Sequence, residues 1–378
     1  MLKVGVCGTI GSGKSTVCHL FEGLGIPVYF ADDRAKELMI SQAELKRDIS
    51  AAFGSQCYDS NGELDRRYLA SQIFGDDAKR LLLNSFRTGL FENPYLDPAA
   101  SAETVGKPEY MEKGYQAQLK SVVMIKNSDN VLPMKAAEAK PKVYVPQKYY
   151  PQVVNFFGVA TPERWEDTFA KELLEKYFTP VTDPAEADFA IVVIEAPQSG
   201  TGYSTADVKN GGNGYLPISL QYSDYTADHA RAVSIAGGDR LEKSANRSYK
   251  GKSVKTANKS DLQAVIDTKA AMGDKPVITV ISTGKPFVPE FEPYSDAILV
   301  SFGCQNQALL DLISGAVEPS ALLPMQLPVD MKTVELQMED VPFDMECYVD
   351  ADGNVYDFAY GLNWSGRIND ARVQKYSK

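Results

Sequence analysis

The stretch Gly8-Thr9-Ile10-Gly11-Ser12-Gly13-Lys14-Ser15 meets G-x-x-x-x-G-K-[ST] at every fixed position, and it follows the apolar run Leu2 to Cys7. Strand, glycine-rich turn and helix start come in the order that brings backbone N–H groups of a helix N-terminus onto a phosphate. Gly8, Gly11 and Gly13 let the backbone approach that closely. Lys14 is placed to reach the outer phosphates and the Ser15 hydroxyl to ligate magnesium. Ser12 and Thr16 complete the loop and open the helix that continues to Leu24. A chain that begins this way is expected to be α/β with a parallel sheet.

A length of 378 residues favours two or three domains. The net charge of −11 disfavours a nucleic acid or an anionic membrane as partner, because both need a basic footprint. No run reaches the roughly 18 apolar residues of a membrane span, so no membrane segment is expected. The chain opens directly on a strand and a glycine loop, and a cytoplasmic location is expected. Five cysteines at irregular spacings read as reduced thiols. Cys18 and His19 lack metal-site spacing and read as packing residues.

Past the first helix, Gly25-Ile26-Pro27 breaks the pattern, and Val28-Tyr29-Phe30 delivers Asp32 and Asp33 to a strand end facing the loop. Helical spacing of apolar residues covers Ala35 to Phe53. Asp59-Ser60-Asn61-Gly62 reads as a turn before a helix carrying Leu64, Leu69, Ile73 and Phe74. These residues resemble dephospho-coenzyme A kinase: Gly8 to Thr16, Gly25-Ile26-Pro27, Ala31-Asp32, and Gly62-Glu63-Leu64-Asp65-Arg66 through Ile73-Phe74. The resemblance implies ATP with magnesium as cofactors, and transfer of the γ-phosphoryl to the ribose 3′-hydroxyl of dephospho-coenzyme A. It places the catalytic aspartate on Asp32, which would orient the attacking hydroxyl; the bland reading of Asp32 is a helix N-cap. The likeness stops at Leu81-Leu82-Leu83-Asn84-Ser85, before the family's third and fourth strands and lid arginines. Half a sheet buries too little apolar surface to offset backbone ordering, so residues 1–85 are expected to be an incomplete, non-catalytic segment.

Phe86-Arg87-Thr88-Gly89-Leu90-Phe91-Glu92-Asn93-Pro94-Tyr95 begins text of another kind, tyrosine-rich and punctuated by proline. From there the chain resembles glycoside hydrolase family 3, β-glucosidase-like, through Lys120 to Asn127, Leu132-Pro133, Lys275 to Ile278, Asp296 to Leu299, Glu318-Pro319, Leu323-Pro324 and Tyr356 to Trp364. The resemblance makes 86–140 the linker leaving the family's barrel and 141–378 its C-terminal α/β domain. From the residues themselves, Lys142–Val145, Phe189–Ile194, Pro276–Ile281 and Ala297–Phe302 read as buried parallel strands. Arg164–Tyr177, Ser260–Met272 and Gln305–Ser314 read as crossover helices. The fold class is therefore a truncated phosphate-loop kinase segment followed by an α/β layered sandwich domain.

Retaining glycosidases need a carboxylate nucleophile and a carboxylic acid/base about 5 Å apart. The resemblance puts the nucleophilic aspartate on the barrel, which this sequence lacks between Ser85 and Phe86. Glu195, at the end of the Phe189–Ile194 strand, is the candidate acid/base; an exposed strand-end glutamate is the competing reading. Ser223-Asp224-Tyr225 looks like the nucleophile signature but lies in the long glycine- and tyrosine-rich insertion Ala196–Gly251, and reads as coincidence. Asp350-Ala351-Asp352-Gly353-Asn354 reads as an Asp-Gly hairpin turn and not a calcium loop, since its glycine comes fourth and not sixth. His229 lacks metal partners in register. Three functions are open: a fusion of two incomplete enzymes with ATP and a β-linked sugar as partners, an ATP-dependent kinase with a substituted core, or a carbohydrate-binding module built on exposed tyrosines.

Overall fold

The computed structural model describes residues 41–59, 62–65, 68, 87, 97–135, 140–154, 160–234, 245–338 and 341–376. The chain divides into two compact units, Met1–Gly106 and Lys107–Lys378.

In the first unit, helix α1 (Ala43–Phe53) occupies the later part of the expected Ala35–Phe53 helix. It stops at Gly54, whose φ of 93° an L-residue rarely adopts. Tyr58 pairs antiparallel with Leu64, and the Gly62 N–H donates to the Asp59 carbonyl at 3.0 Å; Ser60 and Asn61 of the expected turn lie outside the described residues. The Lys46 ammonium of α1 donates to the Gly62 carbonyl at 2.7 Å and lies 5.3 Å from the Tyr58 ring centre. A second helix, α2 (Pro98–Thr104), starts at the Asp97 cap, whose carboxylate accepts the Ala99 N–H at 2.9 Å.

The second unit is built on one eight-stranded sheet, and every one of its strands comes from residues 123 to 367. In chain order its elements are α3 (Pro108–Leu119), β1 (Val123–Asn127), β2 (Lys142–Tyr144), α4 (Lys171–Tyr177), β3 (Thr179–Val181) and β4 (Phe189–Glu195). They continue with α5 (Lys259–Met272), β5 (Val277–Ser282), β6 (Ala297–Ser301), α6 (Asn306–Ser314), β7 (Leu362–Asn363) and β8 (Gly366–Arg367). The sheet order is β8-β7-β1-β6-β5-β4-β2-β3. Strands β6, β5, β4, β2 and β3 run parallel, while β1, β7 and β8 add an antiparallel margin beside β6. The apolar runs explain the placement: Phe189 to Val192 and Ile194 in β4, Val277 and Ile278 in β5, and Ala297 to Val300 in β6 are all buried, as strands covered on both faces require.

Two expectations change. The helix read over Arg164–Tyr177 is confined to α4. Arg164–Glu166 is instead a strand paired antiparallel with Lys148–Tyr150, where Tyr149 and Trp165 stand opposite each other with ring centres 4.9 Å apart. Val123–Asn127, which the sequence reading leaves in the 86–140 linker, is a strand of the sheet between β6 and β7.

Helices α3, α4 and α6 are held together by one carboxylate. Asp311 of α6 accepts the Tyr177 hydroxyl of α4 at 2.6 Å and, through its other oxygen, the Tyr115 hydroxyl of α3. Burial and the shared carboxylate push both phenols far above the ordinary tyrosine range. Among the described residues, no helix is long and apolar enough to cross a membrane.

Candidate functional site

In an open α/β sheet, ligands bind beyond the carboxyl ends of the parallel strands, at the point where the strand order reverses. Here that point lies between β2 and β4. From β2 the chain crosses to β3 on one side, and then returns past β2 to β4 and on to β5 and β6. Lys148, just past the end of β2, and Glu195, the last residue of β4, meet there: Lys148 Nζ lies 2.8 Å from Glu195 Oε1. The lysine side chain is 9% exposed and the glutamate 36%.

Backbone and carboxylate of Glu195 are held separately. Its N–H donates to Asp261 Oδ2 at 2.9 Å. Its carbonyl accepts the Tyr222 hydroxyl at 2.6 Å and Asn258 Nδ2 at 3.1 Å, which fills both lone pairs. Asn258, immediately before α5, also accepts the Gln198 N–H through Oδ1 at 2.8 Å and donates to Asp261 Oδ2 at 3.0 Å. On the carboxylate, Oε1 takes Lys148 and Oε2 takes the Gln198 side-chain amide. Burial pushes the Asp261 carboxyl up despite the Glu195 N–H, and burial holds the Tyr222 phenol well above its ordinary range.

Two cavities flank this pair. One, of about 360 Å³, lies at the strand ends and is lined by Glu195, Gln198, Ser282, Thr283, Gly284 and Lys285. The register makes this possible, since Glu195 of β4 sits beside Ser282 of β5, which sits beside Ser301 of β6. The other, of about 390 Å³, runs between α5 and the Lys148–Tyr150/Arg164–Glu166 ladder, with Tyr144, Lys148, Tyr149, Trp165 and Asp267 in its wall. Trp165 is 63% exposed, and the Tyr149 ring stands beside it, tilted by 49°.

The phosphate-loop residues Gly8, Gly11, Ser12, Gly13, Lys14, Ser15 and Thr16, together with Asp32, lie outside the described residues. Glu195 lies within them and is neither a free nor a fully exposed strand-end glutamate. Asp224 sits with its carboxylate 3.7 Å from Lys259 and 4.0 Å from Lys255, while the Ser223 hydroxyl donates to Glu290. Asp350 closes a hairpin between Val349 and Val355: its Oδ1 accepts the N–H groups of Asp352 and Asn354 at 3.0 and 2.8 Å. Among the described residues of the insertion, Asp207, Asn213 and Tyr215 converge on the Lys252 ammonium, which donates to Asp207 Oδ2 at 2.7 Å, Asn213 Oδ1 at 2.6 Å and the Tyr215 carbonyl at 2.9 Å. Gly214 is a packing position: its φ is 87°, and a Cβ there would lie 2.5 Å from the Tyr203 ring. Sequence reasoning missed Lys148, Asn258, Asp261 and Tyr222. The Lys148-Tyr149-Tyr150 run shortly after β2, past Pro146, and the Asn258 to Asp261 spacing at a helix start, were the available signals.

Fold and site together define a parallel-centred α/β domain with a carboxylate–ammonium pair at its switch point. Residues 122–364 match the family model for the glycosyl hydrolase family 3 C-terminal domain, and the chain belongs to that family. Residues 2–130 match the family model for dephospho-CoA kinase. The chain is thus a composite of a dephospho-CoA kinase segment and a family 3 C-terminal domain. Residues 122–130 fall in both matches; β1, within them, is a strand of the second unit's sheet.

Among relatives, a probable β-glucosidase C of Aspergillus flavus is 27% identical over 288 residues, 76% of this chain and 34% of that protein. A dephospho-CoA kinase of Salinibacter ruber is 44% identical over 84 residues, 22% of this chain and 42% of the kinase. The chain therefore spans about a third of the one relative and two-fifths of the other. The crystal structure of a β-glucosidase from Listeria innocua in complex with isofagomine matches at a TM-score of 0.44 and 18% identity, covering 80% of this chain and 40% of that one.

Proposed function

We propose that the family 3 domain of this chain binds a β-linked sugar with Glu195 in the position of the acid/base, and that it does so without turnover. The observation that carries this reading is the Glu195 carboxylate, fixed by Lys148 and Gln198 at the mouth of a strand-end cavity. A carboxylate has about four acceptor positions, and these two partners leave capacity for sugar hydroxyls. The exposed Trp165 ring beside the second cavity offers an apolar face on which a pyranose ring can stack. Hydrolysis with retention needs a second carboxylate about 5 Å from the first. In the family that group comes from the barrel, and in this chain the kinase segment stands directly before the linker instead.

The kinase segment carries the second half of the proposal. Lys14 and Ser15 would hold the phosphates and magnesium of ATP, with Asp32 toward an acceptor hydroxyl. The phosphate loop Gly8–Ser15 carries the expected nucleotide binding, while the later strands and lid arginines that complete the family's site are lacking, so phosphoryl transfer to dephospho-coenzyme A is not retained. The chain's partners are accordingly a nucleotide and a sugar, in the cytoplasm.

Calorimetric titration with cellobiose tests the sugar reading. Binding that weakens severalfold on Glu195→Ala supports it. Binding indifferent to that substitution, or none, removes it.

A further inference from the structure

The Thr283-Gly284-Lys285 turn leaves β5 at its carboxyl end and forms one wall of the cavity that Glu195 also lines. Its shape is fixed from within. Thr283 Oγ1 donates to the Lys285 carbonyl at 2.5 Å and accepts the Lys285 N–H at 3.1 Å. The Thr283 N–H donates to the Ser301 carbonyl at 2.9 Å, which ties the turn to β6. Lys285 is therefore presented at a set place on a rigid edge.

Its charge has no counterpart. Four other shielded lysines of this unit have a carboxylate: Lys126 has Glu292 at 2.5 Å, Lys148 has Glu195 at 2.8 Å, Lys252 has Asp207 at 2.7 Å and Lys269 has Asp296 at 2.8 Å; a fifth, Lys275, donates to the Ala185 carbonyl at 2.7 Å. Half-buried Lys285 has no carboxylate or hydrogen-bond acceptor for its ammonium among the described residues. Burial without compensation lowers its pKa from the ordinary lysine value. Glu195, the one carboxylate in the wall, is already matched by Lys148. The cavity thus holds one cation in excess, next to a carboxylate and an amide that can take hydroxyls.

We propose that this cavity selects a sugar that carries an oxyanion, a uronic acid carboxylate or a phosphate ester, with Lys285 recognising the charge. The proposal rests on the sugar-site reading above and adds the ligand's charge to it. An oxyanion held by a shielded ammonium makes a charge-assisted hydrogen bond that a neutral sugar cannot supply.

The test is calorimetry on the full chain at low salt, with glucuronate, glucose 6-phosphate and glucose as probes. At least one charged sugar is expected to bind about tenfold or more tightly than glucose, and the advantage should shrink as salt is added. Lys285→Met should abolish the advantage and Lys285→Arg should keep it; a melting curve on each variant shows that it is folded. The charged sugar that wins identifies the oxyanion. Equal binding of charged and neutral probes, or an advantage that survives Lys285→Met, overturns the role of Lys285 and leaves the sugar site standing. No binding of any of these three probes also overturns the role of Lys285, while the cellobiose titration decides separately whether the sugar site stands.

Discussion

Asn258 and Glu195 lie 63 residues apart in sequence, and the Asn258 side-chain amide donates to the Glu195 carbonyl at 3.1 Å while its oxygen accepts the N–H of Gln198 at 2.8 Å. One side chain at the start of α5 thereby sets the backbone that leaves β4. The candidate acid/base is aimed by a residue that never touches its carboxylate.

Asn258→Ala is expected to destabilise the second unit by about 2–4 kcal/mol, because buried donors and acceptors at the strand end lose their partners together. Urea denaturation monitored by tyrosine fluorescence measures it. A loss below about 0.5 kcal/mol would show that the strand end is held without this clamp.

The Asp311 junction should be cooperative. Tyr115→Phe and Tyr177→Phe each remove one hydrogen bond to a charged group, a loss of about 1.5–3 kcal/mol apiece. Because both act on one carboxylate, the double variant is expected to depart from the sum of the singles. A double-mutant cycle that adds within error would contradict the shared clamp.

The insertion should loosen in acid. The Lys252 ammonium and the Gly214 N–H hold the Asp207 carboxyl below its ordinary value of 3.8. A carboxyl depressed by folding stabilises the fold above its unfolded pKa, and that contribution is lost as pH falls through the lower, folded value. Hydrogen exchange at Asn213 to Tyr215 should thus be insensitive to pH-driven opening above about 4 and accelerate relative to β4 below it. Asp207→Asn should remove the difference; unchanged protection in both would contradict the arrangement.

Much of the second unit was readable from residue type alone. The β-branched runs of β4, β5 and β6 leave no room for water on either face, and their lengths suit strands and not helices. The Arg164–Tyr177 stretch misled because Trp165, Phe169, Leu173 and Tyr177 recur every four residues, as on one face of a helix; the opposing Tyr149 and Tyr150 decide for a strand at Arg164–Glu166, and such cross-strand partners are invisible within a short window. Glu195 was legible as the end of an apolar strand. Lys148, Asn258 and Asp261 were not, because each acts across more than 40 residues of intervening chain and only the assembled sheet brings them to one point.

The phosphate loop makes its own prediction. MgATP should bind the chain with calorimetrically detectable heat, and Lys14→Ala should weaken it by about tenfold or more. Heat that is absent, or unchanged in the variant, would remove nucleotide binding from the account.

The chain joins a dephospho-CoA kinase segment to a family 3 C-terminal domain, and on the proposed reading each is short of the groups its reaction needs. Release of p-nitrophenol from p-nitrophenyl β-glucoside by the purified chain tests it most directly. The account predicts no rate above the uncatalysed background; robust turnover that disappears in Glu195→Gln would contradict it.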